Sequence, residues 1–198
     1  MTSVDEFERV IDAIYGVYLD STTGFSELKK LIQSQQRNTL QWLKESRPEL
    51  ATEEYLDGTL FIYGKGDPNK PESIQLHRCT QGQYKSRNSE NGLNYLFIGN
   101  MVVVSIYQYW EDYYRNEIAK YLGCEKTDLI EPIMGDLRLL RHSIIHHGGV
   151  ALNDVEKCEV LKWYTKGQNI FIDKTQCEEV ITQVKEMISR YRKANTNA

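Results

Sequence analysis

The sequence predicts a mainly α fold, a helical bundle with a small β-hairpin insertion. Apolar residues recur at helical spacing on both sides of the middle of the chain, which is typical of amphipathic helices packed on one core. The middle differs, because residues 58–92 hold five glycines and two of the four prolines. Glycine and proline at this density exclude a long helix and favour strands and turns. The length of 198 residues suits a single domain, with N-terminal helices at 1–57, the β-rich insertion at 58–92 and a motif-bearing helical core at 93–193.

The N-terminal helices are predicted from one apolar stripe and its cap. Ser3 and Glu6 have the spacing of a capping box. The stripe that follows comprises Val4, Phe7, Ile11, Ile14 and Tyr18. A break at residues 21–24 is predicted to separate this helix from a second one, which carries Phe25 and Trp42. Pro48 then predicts the start of a third, short helix over residues 49–56.

The insertion is predicted to form a β-hairpin. Residues 59–63 and 73–79 are rich in strand-forming side chains, and Gly66-Asp67-Pro68-Asn69 between them is typical of a turn. The stretch from Tyr63 to Arg87 contains five basic and two acidic residues, so it carries a local positive charge. Such a loop is most often simply solvated, but it is also the best local candidate for contacts to an RNA backbone. The candidate contacts are Lys65, Arg78, Lys85 and Arg87.

The helical core begins with a long helix over residues 93–122, which Gly123 ends. A second helix is predicted after Asp128, with Glu131 at its third position, and Gly148-Gly149 stops it. A short helix over 153–163, a strand over 168–173 and a final helix over 174–193 complete the prediction. The residues expected to face inward on the final helix are Val180, Val184, Met187 and Tyr191, and the tail from 194 is expected to fray.

Composition excludes several classes of protein. With 40% hydrophobic residues the chain is not expected to be disordered. A net charge of −4 excludes a protein that is basic over its whole surface and binds nucleic acid through that charge. No apolar run is long enough for a transmembrane helix, and the acidic N-terminus does not resemble a signal peptide, so no membrane association is expected. The four cysteines are scattered singly, which favours reduced thiols and a cytoplasmic location.

The segment DLRLLRHSIIHHGG carries the chemistry of this sequence. On a helical wheel Arg141 lies at the shoulder of an apolar face formed by Ile130, Ile133, Leu137, Leu140 and Ile144. A buried guanidinium needs either an acid partner or an anionic ligand. Three of the four histidines of the chain follow, as His142, His146 and His147. Arginine is a permanent forked donor to a phosphodiester and histidine exchanges protons near neutral pH, so the pattern suits RNA cleavage without a metal.

Arg141-His142-Ser143-Ile144-Ile145-His146 resembles the R-x4-6-H motif of HEPN domains, with a polar residue directly after the arginine. The resemblance covers residues 93–190 and implies a bundle of four or five helices. It also implies a metal-independent endoribonuclease, with no cofactor, that acts in a toxin–antitoxin, phage-defence or RNA-processing setting. Members commonly work as homodimers whose two motifs share one cleft. The partners implied are therefore an RNA substrate, a second copy and, in a toxin–antitoxin setting, an antitoxin protein.

Carried over to these residues, the resemblance implies that Arg141 binds or polarises the scissile phosphate and that His146 acts as general base or acid. His142 stands in the polar position that supports them, and His147 lies beside them at the helix end. An acidic residue of the preceding long helix, Glu111 or Asp112, is expected to pair with the arginine. This chain has Gly148 where toxins with a nucleotidyltransferase antitoxin have a tyrosine, so regulation by modification of that tyrosine is not implied.

Other interpretations of the same residues stay open. Arg141 could be a structural arginine paired with Glu111, in which case the chain is a non-catalytic helical module that binds a partner protein or a nucleotide. Protonated histidines at a helix C-terminus also interact favourably with the negative end of the helix dipole, and this alone could explain their presence. His142 and His146 have the spacing of a helical zinc site, but Ser143 stands where the HExxH motif needs glutamate.

Overall fold

The structure, a computed structural model, describes residues 2–196. Within this range the fold is mainly α, with one two-stranded antiparallel sheet, as predicted. The α-helices are α1 (Ser3–Ser46), α2 (Glu53–Gly58), α3 (Gln81–Arg87), α4 (Leu93–Tyr109), α5 (Arg115–Leu122), α6 (Pro132–His146) and α7 (Lys174–Thr196). The strands are β1 (Leu60–Lys65) and β2 (Ile74–Thr80). Short 3-10 helices lie at Pro48–Leu50, Lys126–Asp128 and Asn153–Lys157, and Trp110–Tyr114 is a π-helical segment between α4 and α5.

The described residues divide into two compact units. One contains residues up to Ser21 together with residues from Leu96 onward, and the other contains Thr22–Tyr95. The prediction of a single domain stays a prediction. Among residues 2–196, none of the helices has both the length and the apolar content needed to span a membrane.

The predicted break in the N-terminal region is wrong, because α1 continues through residues 21–24. One glycine inside a helix costs only about 1 kcal/mol, which neighbouring helix-forming residues can offset. The N-terminal cap is also one residue earlier than predicted. The Asp5 amide donates to Thr2 Oγ1 at 3.2 Å and the Thr2 amide donates to the Asp5 carboxylate at 3.0 Å. The predicted third helix is divided between Pro48–Leu50 and α2, for which Thr52 is the N-cap.

In the unit formed by Thr22–Tyr95, β1 and β2 form the predicted hairpin. One face of the hairpin packs on α3, where the Phe61 and Tyr84 rings lie 4.3 Å apart. Beside it, Gln36 and Lys85 both bind the carboxylate of Asp57, at 2.8 and 2.5 Å. The other face of the hairpin leaves Leu60 and Ile62 exposed.

In the other unit, the first half of α1 packs with α4, α6 and α7 around one hydrophobic core. The four residues of α7 predicted to face inward are all buried, as are Ile133, Leu137 and Leu140 of α6. Ile130 was predicted in this core but is 80% exposed, because α6 begins only at Pro132. Helix α7 continues past the predicted start of the frayed tail to Thr196, and the rest of that tail lies outside the described residues.

Two predicted elements between α6 and α7 are replaced by irregular backbone. Residues 168–173 form only an isolated bridge at Asn169, and their amide and carbonyl groups bind the side chain of the buried Asn100 in α4. The backbone comes so close there that a Cβ on Gly99 would lie 2.0 Å from the Ile172 carbonyl oxygen. Glycine is therefore required at position 99.

The predicted helix over 153–163 extends only to Lys157. The next residues are held by the carboxylate of Asp136, which is 2% exposed. This carboxylate accepts the amides of Glu159 at 2.9 Å and of Val160 and Leu161 at 2.7 Å each. Because one carboxylate satisfies three successive amides, this segment does not need helical hydrogen bonds.

Candidate active site on helix α6

The end of α6 presents the motif histidines to solvent. Gly148 and Gly149 both have positive φ, at 60° and 82°, and turn the chain away from the helix, as the sequence predicted. The ring centroids of His146 and His147 lie 5.1 and 5.3 Å from that of His142, and all three side chains are exposed. The buried Ser143 accepts the Leu152 amide at 3.2 Å and so holds the chain that follows the turn. Three imidazoles thus form a cluster at one helix end.

Arg141 points from α6 toward α4 and is half-buried. Its Nη2 donates to the side-chain oxygen of Gln108 at 2.9 Å, and its Cζ lies 5.9 Å from the centroid of the Tyr107 ring. The Nε atom is buried and has no hydrogen-bond partner. A buried donor without a protein partner is uncommon in native proteins, so this Nε–H is available to a water or a ligand.

The predicted acid partner of Arg141 is wrong. Glu111 is engaged by Arg115 at 3.0 Å and by Lys126 at 2.8 Å. Burial alone would raise the pKa of Glu111, but hydrogen bonds from Lys126 and Arg115 lower it below its usual value. Asp112 is not paired with Arg141 either, because its carboxylate accepts a hydrogen bond from the side-chain amide nitrogen of Gln108. Gln108 therefore connects Arg141 to Asp112.

As a result, the guanidinium of Arg141 makes no ion pair with any described residue, so none of these residues neutralises its positive charge directly. Gln108 was not among the predicted partners of Arg141, which were both acidic residues. The signal was available, since a glutamine four residues before an aspartate on a helix is a recognised hydrogen-bonding pair.

Arg141 and the exposed histidines face different directions around α6. Residues 141 and 146 are five positions apart, which corresponds to about 140° around a helix. Arg141 accordingly contacts α4, while His146 is exposed to solvent. The stripe that His146 shares with His142 continues one turn earlier to Arg138, which is also exposed. One chain therefore offers an arginine and a histidine cluster on two well-separated sides of one helix.

The four cations predicted to contact RNA belong to the unit formed by Thr22–Tyr95 and differ in availability. Lys65 and Arg78 are exposed. Lys85 is only 17% exposed at its side chain and is paired with Asp57, which leaves it less accessible than Lys65 and Arg78, and its assignment as an RNA contact stays a prediction. Arg87 lies over the rings of Tyr63 and Tyr84 and shares a 2.9 Å hydrogen bond with His77, which leaves it half-buried.

Residues 2–196 contain no group of three histidine, cysteine, aspartate or glutamate side chains arranged to hold a metal ion. The zinc interpretation of His142 and His146 therefore lacks a third ligand within this range. What the site can supply is one unneutralised guanidinium and three imidazoles that can accept or donate protons.

No protein-family model, no curated protein and no solved structure matches this chain at a significant level. Proposals about its function therefore depend on the residues and contacts described above.

Proposed function

We propose that this protein is a metal-independent endoribonuclease of the HEPN type. The observation that carries the proposal is the environment of Arg141, a half-buried arginine with a buried Nε–H and no carboxylate partner among the described residues. A guanidinium without an acid partner is available to bind an anionic ligand. Because both candidate acids are engaged elsewhere, a phosphodiester is the ligand that best fits its forked geometry.

In the proposed reaction the 2′-hydroxyl of the RNA attacks the adjacent phosphorus. A histidine accepts the 2′-hydroxyl proton, a second histidine donates a proton to the 5′-oxygen, and the bond between phosphorus and that oxygen breaks. The products are a 2′,3′-cyclic phosphate and a free 5′-hydroxyl. Arg141 neutralises the charge that develops on the phosphoryl oxygens. His146 and His142 are assigned the proton transfers, which require imidazoles accessible to substrate.

We expect the site to be completed by a second copy of the chain. One chain presents Arg141 and His146 on different sides of α6, so a two-fold arrangement could place the arginine of one copy near the histidine of the other. Ile145 on the same helix is 45% exposed beside the histidines and offers an apolar contact for the second copy. Sedimentation should therefore show a dimer at micromolar concentration for the wild type and a monomer for Ile145→Glu. A wild-type monomer that still cleaves RNA would contradict the shared site.

The reaction itself is tested with one RNA hairpin in two forms. After the cleavage site is mapped, the nucleotide 5′ to it is replaced by its 2′-deoxy counterpart. Cleavage should stop at that position, because the nucleophile is missing, and the unmodified RNA should yield a 2′,3′-cyclic phosphate end. Cleavage of the deoxy substrate at the same bond would overturn the mechanism. Binding of both RNAs without cleavage would instead favour the non-catalytic module.

The resemblance that motivates this proposal also suggests the biological setting. A toxin–antitoxin, phage-defence or RNA-processing role in the cytoplasm is part of the proposal, and so is an antitoxin protein as a further partner. The exposed Lys65 and Arg78 of the hairpin are proposed as additional contacts to the RNA backbone.

A further inference from the structure

Two cavities lie side by side at the start of α6. The smaller, of about 250 Å³, lies between α6 and the π-helical segment Trp110–Tyr114. The larger, of about 540 Å³, extends toward the 3-10 helix Asn153–Lys157. Four residues line both cavities: Ile130, Glu131, Gly135 and Arg138. A π-helical segment inside an α-helix is uncommon and is often found at functional sites.

Gly135 stands in α6 without a structural reason. Its φ is not positive, and a Cβ built on it would meet no atom within 4 Å. Glycine destabilises a helix relative to alanine, so neither the backbone nor the packing explains its presence. What glycine provides at this position is open space where the two cavities meet.

The walls of the smaller cavity suit an aromatic ligand with negative charge. Tyr107, Leu129 and Met134 contribute flat or apolar surface, and Arg115 and Arg138 contribute positive charge. Two carboxylates, Glu111 and Glu131, also line the cavity, but Glu111 is paired with Arg115 and Lys126, and Glu131 is paired with Arg190. Arg115 is held by Glu111 and by the Leu129 carbonyl. Arg138, in contrast, is exposed and makes no hydrogen bond or ion pair with the described residues.

We propose that this cavity binds one ribonucleotide of the RNA, with its base against Tyr107 and Met134 and its phosphate on Arg138. Bases stack on aromatic side chains, and an unpaired arginine at the rim is placed to hold the attached phosphate. The ligand class is therefore a ribonucleoside monophosphate unit.

This inference rests on the proposed ribonuclease function and deepens it. The Tyr107 ring that lines the cavity also lies beneath the guanidinium of Arg141. A base in the cavity would therefore belong to a nucleotide next to the phosphate at Arg141. The cavity would then select the nucleotide beside the cleaved bond.

The test uses Gly135→Phe, which fills the cavity, and Gly135→Ala, which adds one methyl group to open space. Calorimetry measures binding of the four ribonucleoside 3′-monophosphates to the intact protein. Gly135→Ala should bind within about twofold of the wild type, and Gly135→Phe should bind at least tenfold more weakly while melting at a similar temperature. Arg138→Gln should bind the monophosphates more weakly by a similar factor, and its affinity for the free nucleosides should not change.

If Gly135→Phe binds as tightly as Gly135→Ala, the proposal is wrong. It is equally wrong if inorganic phosphate binds as tightly as every nucleotide, which would indicate a simple anion site. Should Gly135→Phe unfold, Arg138→Gln and the free nucleosides still decide the question. The His146→Ala variant separates this inference from the proposed function, because it should keep nucleotide binding and lose cleavage.

Discussion

Replacing Asp136 by alanine is expected to destabilise the protein by about 3–5 kcal/mol. The carboxylate is buried and accepts three successive backbone amides, those of Glu159, Val160 and Leu161. Its removal leaves these donors in an apolar environment, and each unsatisfied buried donor costs about 1–3 kcal/mol. The variant should also lose order in the residues that follow the 3-10 helix Asn153–Lys157.

Denaturant unfolding measures this effect, with two variants for comparison. Asp136→Asn preserves the shape of the side chain but removes its charge and presents an amide group to the same donors, so it should also be clearly destabilising. Asp154→Ala removes an exposed carboxylate paired with Lys157 and should leave the free energy of unfolding close to that of the wild type. An Asp136→Ala protein within about 1 kcal/mol of the wild type would show that the three hydrogen bonds do not hold this segment.

Replacing Arg141 by alanine is expected to slow RNA cleavage by at least about 100-fold. The same change should alter the free energy of unfolding by only about 1 kcal/mol. Loss of an ion-paired arginine would strand a buried acid, but Arg141 has no acid partner among the described residues, and its substitution also removes an unpaired buried Nε–H. Activity and stability should therefore separate at this position.

Gln108 gives the matched test of why Arg141 matters. Gln108→Glu places a carboxylate where the amide oxygen now accepts the Arg141 hydrogen bond at 2.9 Å, so the guanidinium charge would be neutralised within the protein. Cleavage should fall by about as much as in Arg141→Ala. Gln108→Ala removes the hydrogen bond but keeps the free charge, and it should retain most of the activity. Equal losses in the two Gln108 variants would mean that Gln108 has only a structural role.

The helices that pack on the main core could be predicted because their apolar positions repeat at a regular spacing. That spacing predicted the buried face of α7 and the burial of Ile133, Leu137 and Leu140 on α6. The failures occurred where one polar side chain decides the backbone. Asn100 and Asp136 each bind backbone groups that are distant along the chain, and no local pattern shows that such a bond will replace a strand or a helix.

The candidate site could be predicted in part. The histidine cluster and its exposure follow from i, i+4 spacing and the two glycines that end α6. The partner of Arg141 could not be chosen from spacing alone, because Gln108, Glu111 and Asp112 lie within one turn of the same helical stretch. Lys126, which comes from a separate 3-10 helix, takes part of the Glu111 carboxylate. That contact depends on how distant segments fold together.

The most direct measurement is the rate at which the protein cleaves a structured RNA in EDTA and in Mg²⁺. The wild type should cleave equally fast in both, because arginine and histidine supply the chemistry, and His77→Ala, which changes the one histidine outside the cluster, should match it. His146→Ala should be at least about 100-fold slower while melting at the wild-type temperature. Cleavage abolished by EDTA and restored by Mg²⁺, or a His146→Ala protein as active as the wild type, would contradict the assignment of this site as a metal-independent ribonuclease.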